Sequence, residues 1–212
     1  MIYNSKSYLY LTEIVLVSLL LFTSDSHAQN IGYDAAGRVI WTIQPSGQTT
    51  TFGYDANGNI ESIASMTPAE DSDADGLPDY FEIRFTGTKT ALTPTDDADQ
   101  DGMNHLFEFA FTKDPFISDA TEITLISLEV PNTQTGDQFF TLKYLRPQSG
   151  TQHLKYVTEI SYDLTQPWIA EPAILSEAIV PMEGGVEEVT VRVTEPIGAA
   201  DTFFMRIAIQ KL

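Results

Sequence analysis

Cysteine is absent and cations are scarce: 11 Lys and Arg stand against 30 Asp and Glu in 212 residues, a formal net charge of −19. The first absence excludes a disulfide framework, a thiol nucleophile, a zinc ribbon, an iron–sulfur cluster and a lipid-modified cysteine anchor. The second argues against a nucleic-acid partner, because phosphate binding needs clustered Lys and Arg to displace counterions, and polyanions and anionic membrane surfaces drop out with it. Histidine is rare too, with 3 copies, and only His105 and His153 lie beyond residue 28. Neither belongs to a nucleophile, base and orienter constellation. A carboxylate pair for glycoside hydrolysis is the remaining catalytic option. The acids outside the middle region, however, lie near turns (Asp137, Glu183, Asp201) or on strand faces expected to be solvated (Glu159, Glu187, Glu188). The expectation is a non-enzyme in which only Asp and Glu are abundant enough to carry chemistry.

Long apolar runs are also missing, apart from Ile14 to Phe22 near the amino terminus. Lys6 precedes this run, and Ser26-His27-Ala28 offers small residues at both recognition positions of a signal peptidase. A membrane span needs about 20 apolar residues, and Glu13 interrupts the stretch. Residues 1–28 therefore read as a cleaved signal peptide, which leaves Gln29 first, no membrane span in the mature chain, and a secreted, cell-surface or periplasmic location. A protein exported without disulfides needs another staple if its domains are small.

Between residues 29 and 66 a motif is repeated. Gly32-Tyr33-Asp34-Ala35-Ala36-Gly37 and Gly53-Tyr54-Asp55-Ala56-Asn57-Gly58 match at Gly, Tyr, Asp, Ala and Gly with a spacing of 21 residues. Asn57-Gly58 suits a two-residue turn, and Pro45-Ser46-Gly47 separates the strand-like runs Arg38 to Ile43 and Thr49 to Tyr54, so the segment reads as successive β-hairpins. These residues resemble the YD repeat of the Rhs family. That resemblance implies a β-strip of the kind found on bacterial secreted and toxin-delivery proteins, here in two copies only.

The strongest chemistry lies in residues 67–116. Asp71, Asp73, Asp75, Asp79 and Glu82 occupy positions 1, 3, 5, 9 and 12 of a twelve-residue loop with Gly76 at position 6. This is the calcium-loop pattern. A hard cation takes six to eight oxygens, so alternate residues of a tightly curled loop must point inward, and the glycine permits the sharp turn. The carbonyl of Leu77 serves position 7, and Glu82 can bind through both oxygens from the first turn of a following helix. Five carboxylates with no Lys or Arg inside the loop repel one another unless a cation joins them. A second copy starts 26 residues later: Asp97, Asp99, Asp101, Gly102, the carbonyl of Met103, and Glu108. Its position 9 is His105, a poor donor to calcium, so a water or the neighbouring Asn104 is expected at that vertex. The second site is therefore expected to be the weaker, and His105→Asn to strengthen it.

Each loop is followed by a predicted helix with an apolar stripe, Leu77, Phe81 and Phe85 in one, and Met103, Leu106, Phe107, Ala110 and Phe111 in the other. Gly87 should end the first helix and Asp114-Pro115 the second. The duplicated loop and helix resemble the thrombospondin type 3 and dockerin-like calcium repeats of extracellular proteins, which implies Ca2+ as the bound ion.

From residue 117 to 212 about seven strand-like runs, Trp168 to Leu175 among them, alternate with turn signals such as Pro131-Asn132, Thr135-Gly136 and Pro196 to Gly198, the pattern expected of an antiparallel β-sandwich. Tyr156, Asp163-Leu164, Trp168 and Phe203 to Arg206 resemble uncharacterised C-terminal β-domains that follow such calcium loops in secreted bacterial proteins. Trp168 and Tyr162 are the candidates for a sugar-stacking platform. The sequence as a whole thus predicts a mixed, mainly β chain. N-terminal hairpins come first, then two calcium loop-helix units, then a C-terminal sandwich with its own core that should melt independently of calcium. Its function is expected to be that of a secreted, non-catalytic, calcium-binding interaction protein with an extracellular protein or glycan as partner. A carbohydrate-binding accessory module and a shortened Rhs-type delivery protein are the alternatives.

Overall fold

The computed structural model describes residues 30–120, 124–129, 139–170, 174–194 and 204–212. The signal-peptide reading of residues 1–28 lies outside these residues. So do Asp137, Asp201 and the turn signals at Pro131-Asn132, Thr135-Gly136 and Pro196 to Gly198.

The repeated motif builds a four-stranded antiparallel meander, β1 (Ile31–Tyr33), β2 (Val39–Ile43), β3 (Thr49–Tyr54) and β4 (Ile60–Met66), in the order β1-β2-β3-β4. The two copies make the same turn. Asp34 Oδ1 accepts the N–H groups of Ala36 and Arg38, and Asp55 Oδ1 accepts those of Asn57 and Asn59. Gly37 and Gly58, at φ 77° and 89°, then close each turn onto the carbonyl of the motif aspartate. The turn is thus longer than the two-residue form expected from Asn57-Gly58, because the aspartate side chain satisfies two N–H groups and stabilises the wider loop. The strand register shifts at Gly32/Tyr33 and again at Gly53/Tyr54. Gly32 allows the indole of Trp41 to lie flat on the backbone, where a β-carbon would overlap it.

Two short helices follow, α1 (Asp79–Thr86) and α2 (His105–Ala110). Gly87, at φ 78°, ends α1 as expected, and its N–H returns to the Ile83 carbonyl. By contrast α2 closes at Phe111, before Asp114-Pro115. With so few residues the packing face is not the full predicted stripe. Phe109, at 1% exposure, is the contact residue, with Phe81 at 5.3 Å and Tyr80 at 6.2 Å between ring centroids, while Leu106 and Phe107 stay half-buried.

The C-terminal part holds six described strands: β5 (Thr124–Glu129), β6 (Phe139–Pro147), β7 (Leu154–Ser161), β8 (Leu175–Pro181), β9 (Val186–Val193) and β10 (Phe204–Lys211). They form a four-stranded antiparallel sheet, β5-β6-β9-β8, and a two-stranded antiparallel ribbon, β10-β7. Trp168 to Leu175, read as a strand of its own, instead contributes among its described residues only the bridge of Ile169 to Ile160 before Leu175 enters β8. Leu142, Tyr144, Val189, Val191 and Val193 are the buried side of the sheet, and Tyr144 stacks on Tyr156 of the ribbon at 5.8 Å.

The helices join both β units. Phe111 packs edge-on against Tyr144 and Tyr156 at 5.9 and 6.3 Å, and Tyr156 Oη donates to the Ala110 carbonyl at 2.8 Å. Tyr80 Oη reaches the Ser149 carbonyl, Ser149 Oγ donates to the Ser46 carbonyl, and Lys211 Nζ donates to the Ala74 carbonyl. The buried apolar residues run from Trp41, Ile43 and Met66 through Leu77, Phe81 and Phe109 to Leu142, Ile160 and Val191 as one core. No helix among the described residues is long and apolar enough to cross a membrane.

Candidate metal centres

The two acidic loops adopt one backbone conformation. Position 4 is left-handed in both (Ala74 at φ 57°, Gln100 at φ 62°), and so is position 6 (Gly76 at 99°, Gly102 at 96°). A non-glycine residue in that region is held there by its surroundings. The surroundings are the same twice. Asp71 Oδ2 accepts the Gly76 N–H at 2.9 Å and Asp97 Oδ2 that of Gly102 at 3.0 Å. Asp75 Oδ1 accepts the Leu77 N–H and Asp101 Oδ1 that of Met103, both at 2.8 Å. Each curl gathers three carboxylates, Asp71, Asp73 and Asp75 in one loop and Asp97, Asp99 and Asp101 in the other, with one oxygen from each lying within 4.8 Å of the other two.

Helices α1 and α2 place a glutamate behind each triad. Glu82 and Glu108 both show 0% exposure. Glu82 Oε1 accepts the Leu92 N–H at 3.0 Å while its Oε2 has no hydrogen-bond partner. Neither oxygen of Glu108 has one, and Asp97 Oδ1 and Asp99 Oδ2 are likewise buried and unpartnered. Burial, and then the charges of Asp73, Asp75 and Asp79, push Glu82 up to about 7 despite the Leu92 N–H. Burial, reinforced by Asp99, Asp101, Asp119 and Asp97, pushes Glu108 up to about 8. Burial as the leading cause also raises Asp75 and Asp99, whereas the Met103 N–H, with those of Ala120 and Asp119, holds Asp101 below its ordinary value. The donor set is wholly oxygen and strongly anionic, which fits a hard divalent cation and no soft one.

Other residues named from the sequence are placed differently. Asp79, read as position 9 of the loop, accepts the Ser72 N–H at Oδ1 and the Ser72 hydroxyl at Oδ2, both at 2.7 Å, and Oδ2 lies 3.2 Å from Lys89 Nζ. A fully buried carboxylate needs donors, and these bonds brace position 2 of the loop. His105 turns its Nδ1 to the Thr93 carbonyl at 2.9 Å and is buried. Asn104 caps α2 by accepting the Phe107 N–H, so it is spent on the helix rather than on the loop. Leu77 and Met103 are buried at position 7 of their loops.

The role of His105 reverses one expectation. His105→Asn should leave calcium affinity unimproved and lower stability by about 1–2 kcal/mol through lost packing and the lost bond to Thr93. Denaturant melts of the variant beside a calcium titration check this, and a tightened site would contradict it.

Asp119, Ser72, Lys89 and Lys211 also bear on the loops and carry no signal in the loop spacing. Of the proposed sugar platform, Tyr162 is exposed, whereas one face of the Trp168 ring is covered by the Arg206 guanidinium at 4.3 Å, itself bonded to Glu159 at 2.7 Å.

The family model for the RHS repeat matches residues 33–70. The match runs from the end of β1 through β4 and stops one residue before Asp71, the first residue of the first acidic loop. Comparison with curated proteins and with solved structures finds no match.

Proposed function

We propose that this is a secreted, calcium-binding protein with a structural and interaction role, adhesion-like and non-catalytic, whose acidic loops are folded by Ca2+. The observation that carries the reading is Glu108: a fully buried carboxylate with both oxygens unpartnered, set behind three more aspartates. Removing an ionised carboxylate from water without a partner costs several kcal/mol, and a cation in the loop offsets that cost for Glu108 and the triad together. Glu82, equally buried behind its own triad with Oε2 unpartnered, supports a second ion. Thrombospondin type 3 and dockerin-like repeats remain the resemblance that fits such loops. In this role calcium replaces the missing disulfides as the staple.

The C-terminal strands are read as a β-sandwich, supported by Tyr144 of the sheet stacked on Tyr156 of the ribbon. A non-catalytic role is supported by the two histidines, since His105 and His153 both face backbone carbonyls, of Thr93 and Ala69. Export rests on the sequence of residues 1–28, and the partner is read as an extracellular protein or glycan. A second reading, a shortened Rhs-type delivery protein, is favoured by the RHS-repeat match over residues 33–70. Arg206 on the Trp168 face weighs against the carbohydrate-binding module.

Calorimetric titration of the decalcified protein tests the reading. Two calcium ions per chain should bind with measurable heat. Magnesium should substitute poorly because its small octahedral shell does not suit a bidentate glutamate. No calcium heat would overturn it.

A further inference from the structure

The second acidic loop lacks an oxygen donor at position 9, where His105 faces Thr93 instead. The chain beyond α2 returns to the loop at Asp101. The N–H groups of Asp119 and Ala120 both donate to Asp101 Oδ2, at 2.9 and 2.7 Å, which fixes Asp119 against the loop from 18 residues away. Its carboxylate is divided. Oδ2 lies 3.5 Å from Lys113 Nζ, whereas Oδ1 is buried and has no partner. Glu108, fully buried with both oxygens unpartnered, has Asp119 among its interacting charges together with Asp97, Asp99 and Asp101.

The first loop is furnished otherwise. The Leu92 N–H takes one oxygen of Glu82, and Lys211 Nζ sits on the Ala74 carbonyl, bringing a positive charge beside Asp75. Buried acceptor atoms without a donor mark where a partner belongs, and the second loop has five of them on Asp97, Asp99, Glu108 and Asp119.

We infer that Asp119 is a ligand of the second cation through Oδ1, supplying the oxygen that His105 does not, and that the second site is thereby the tighter of the two. The inference rests on the calcium reading above. Carboxylate number and site rigidity set affinity in such loops. The second site has Asp97, Asp99, Asp101, Glu108 and Asp119, with Lys113 beside Asp119, while the first has Asp71, Asp73, Asp75 and Glu82, with Lys211 beside Asp75. The ion also clamps the segment leading from α2 to β5, tying the connection into the sheet to metal occupancy.

Calcium titrated calorimetrically into the decalcified full chain and into Asp119→Asn tests this. Asparagine keeps the volume of the side chain and the backbone bonds to Asp101. The wild type should show two sites, and the variant should keep one unchanged and weaken the tighter one about tenfold or more. In the wild-type protein, which needs no variant to fold, the carboxyl carbon resonance of Asp119 should shift with the equivalent of calcium that fills the tighter site. Two sites in the wild type with unchanged affinities in the variant, or an Asp119 resonance that does not move, overturn this assignment and leave the calcium reading standing. A wild type that takes up no calcium overturns both.

Discussion

Decalcification should lower the melting temperature of the whole protein in one transition, the C-terminal strands included. From sequence the last ninety-odd residues look able to melt alone, having enough apolar alternation for their own core. The structure ties them to the acidic loops and their helices instead. Phe111 is wedged against Tyr144 and Tyr156, Tyr156 holds the Ala110 carbonyl, Tyr80 reaches Ser149, and Lys211 holds the first loop at Ala74. A helix of 6 residues, as α2 is, has little stability of its own, because isolated helices below about 12 residues are marginal in water. On the proposed reading, loss of an ion at Glu108 should loosen Phe109, which packs on Tyr80 and Phe81, and Phe111, which packs on Tyr144 and Tyr156. An ion bound only by the folded state at a hundredfold excess over Kd contributes about 2.7 kcal/mol, so two contribute about 5. For a chain of this size that corresponds to a fall of about 10–20 °C. Near-ultraviolet dichroism from the stacked tyrosines and far-ultraviolet dichroism from the strands should move together. A tyrosine signal indifferent to chelation would show that the sheets are autonomous after all.

The pH dependence of stability should invert between the calcium-free and calcium-loaded protein. Burial first, and neighbouring carboxylates second, lift Glu82 from its ordinary 4.5 to about 7 and Glu108 to about 8 in the metal-free fold. Between pH 4.5 and 8 the metal-free folded state consequently binds more protons than the unfolded chain. Its stability is greatest below the unfolded value and falls as pH rises through the folded values. Calcium requires the same groups ionised, so the stabilisation it gives grows over that interval. In resin-decalcified buffer the melting temperature should be higher at pH 5 than at pH 8.5, by an amount worth a few kcal/mol, whereas calcium should raise it most at pH 8.5.

Glu108→Gln separates the two contributions. At pH 8.5 the amide should stabilise the calcium-free protein, since it removes a buried charge that has no partner. With calcium present it should destabilise, since it removes a ligand. A variant that is less stable in both states would mean that Glu108 is held by contacts other than a cation.

The acidic loops were legible in the sequence because their chemistry is local. Asp71, Asp73, Asp75 and Gly76 lie within six residues, and such a loop needs no distant partner to take its shape. The same holds for the repeated Gly-Tyr-Asp turns, where Asp34 and Asp55 bond to residues two and four positions on. What escaped depends on distant chain. Asp79 and His105 occupy equivalent positions, yet each has a partner that spacing does not show, Ser72 with Lys89 in one case and Thr93 in the other. Phe109 was missed because a helix of less than two turns need not present a full heptad face. In the run Trp168 to Leu175 the described residues give the bridge of Ile169 to Ile160 and, at Leu175, the start of β8. Asp119 belongs to no motif, and only the return of the chain after α2 brings it to the second loop.

Native mass spectrometry of the decalcified chain, titrated with calcium alongside Glu82→Gln and Glu108→Gln, tests the central claim most directly. Two calcium mass increments are expected for the unaltered protein and one for each single variant, with the helical and sheet signals of the protein recovering as the ions bind. A protein that remains metal-free at millimolar calcium, or that gains the same scattered adducts in all three forms, would contradict the assignment of both acidic loops as cation sites.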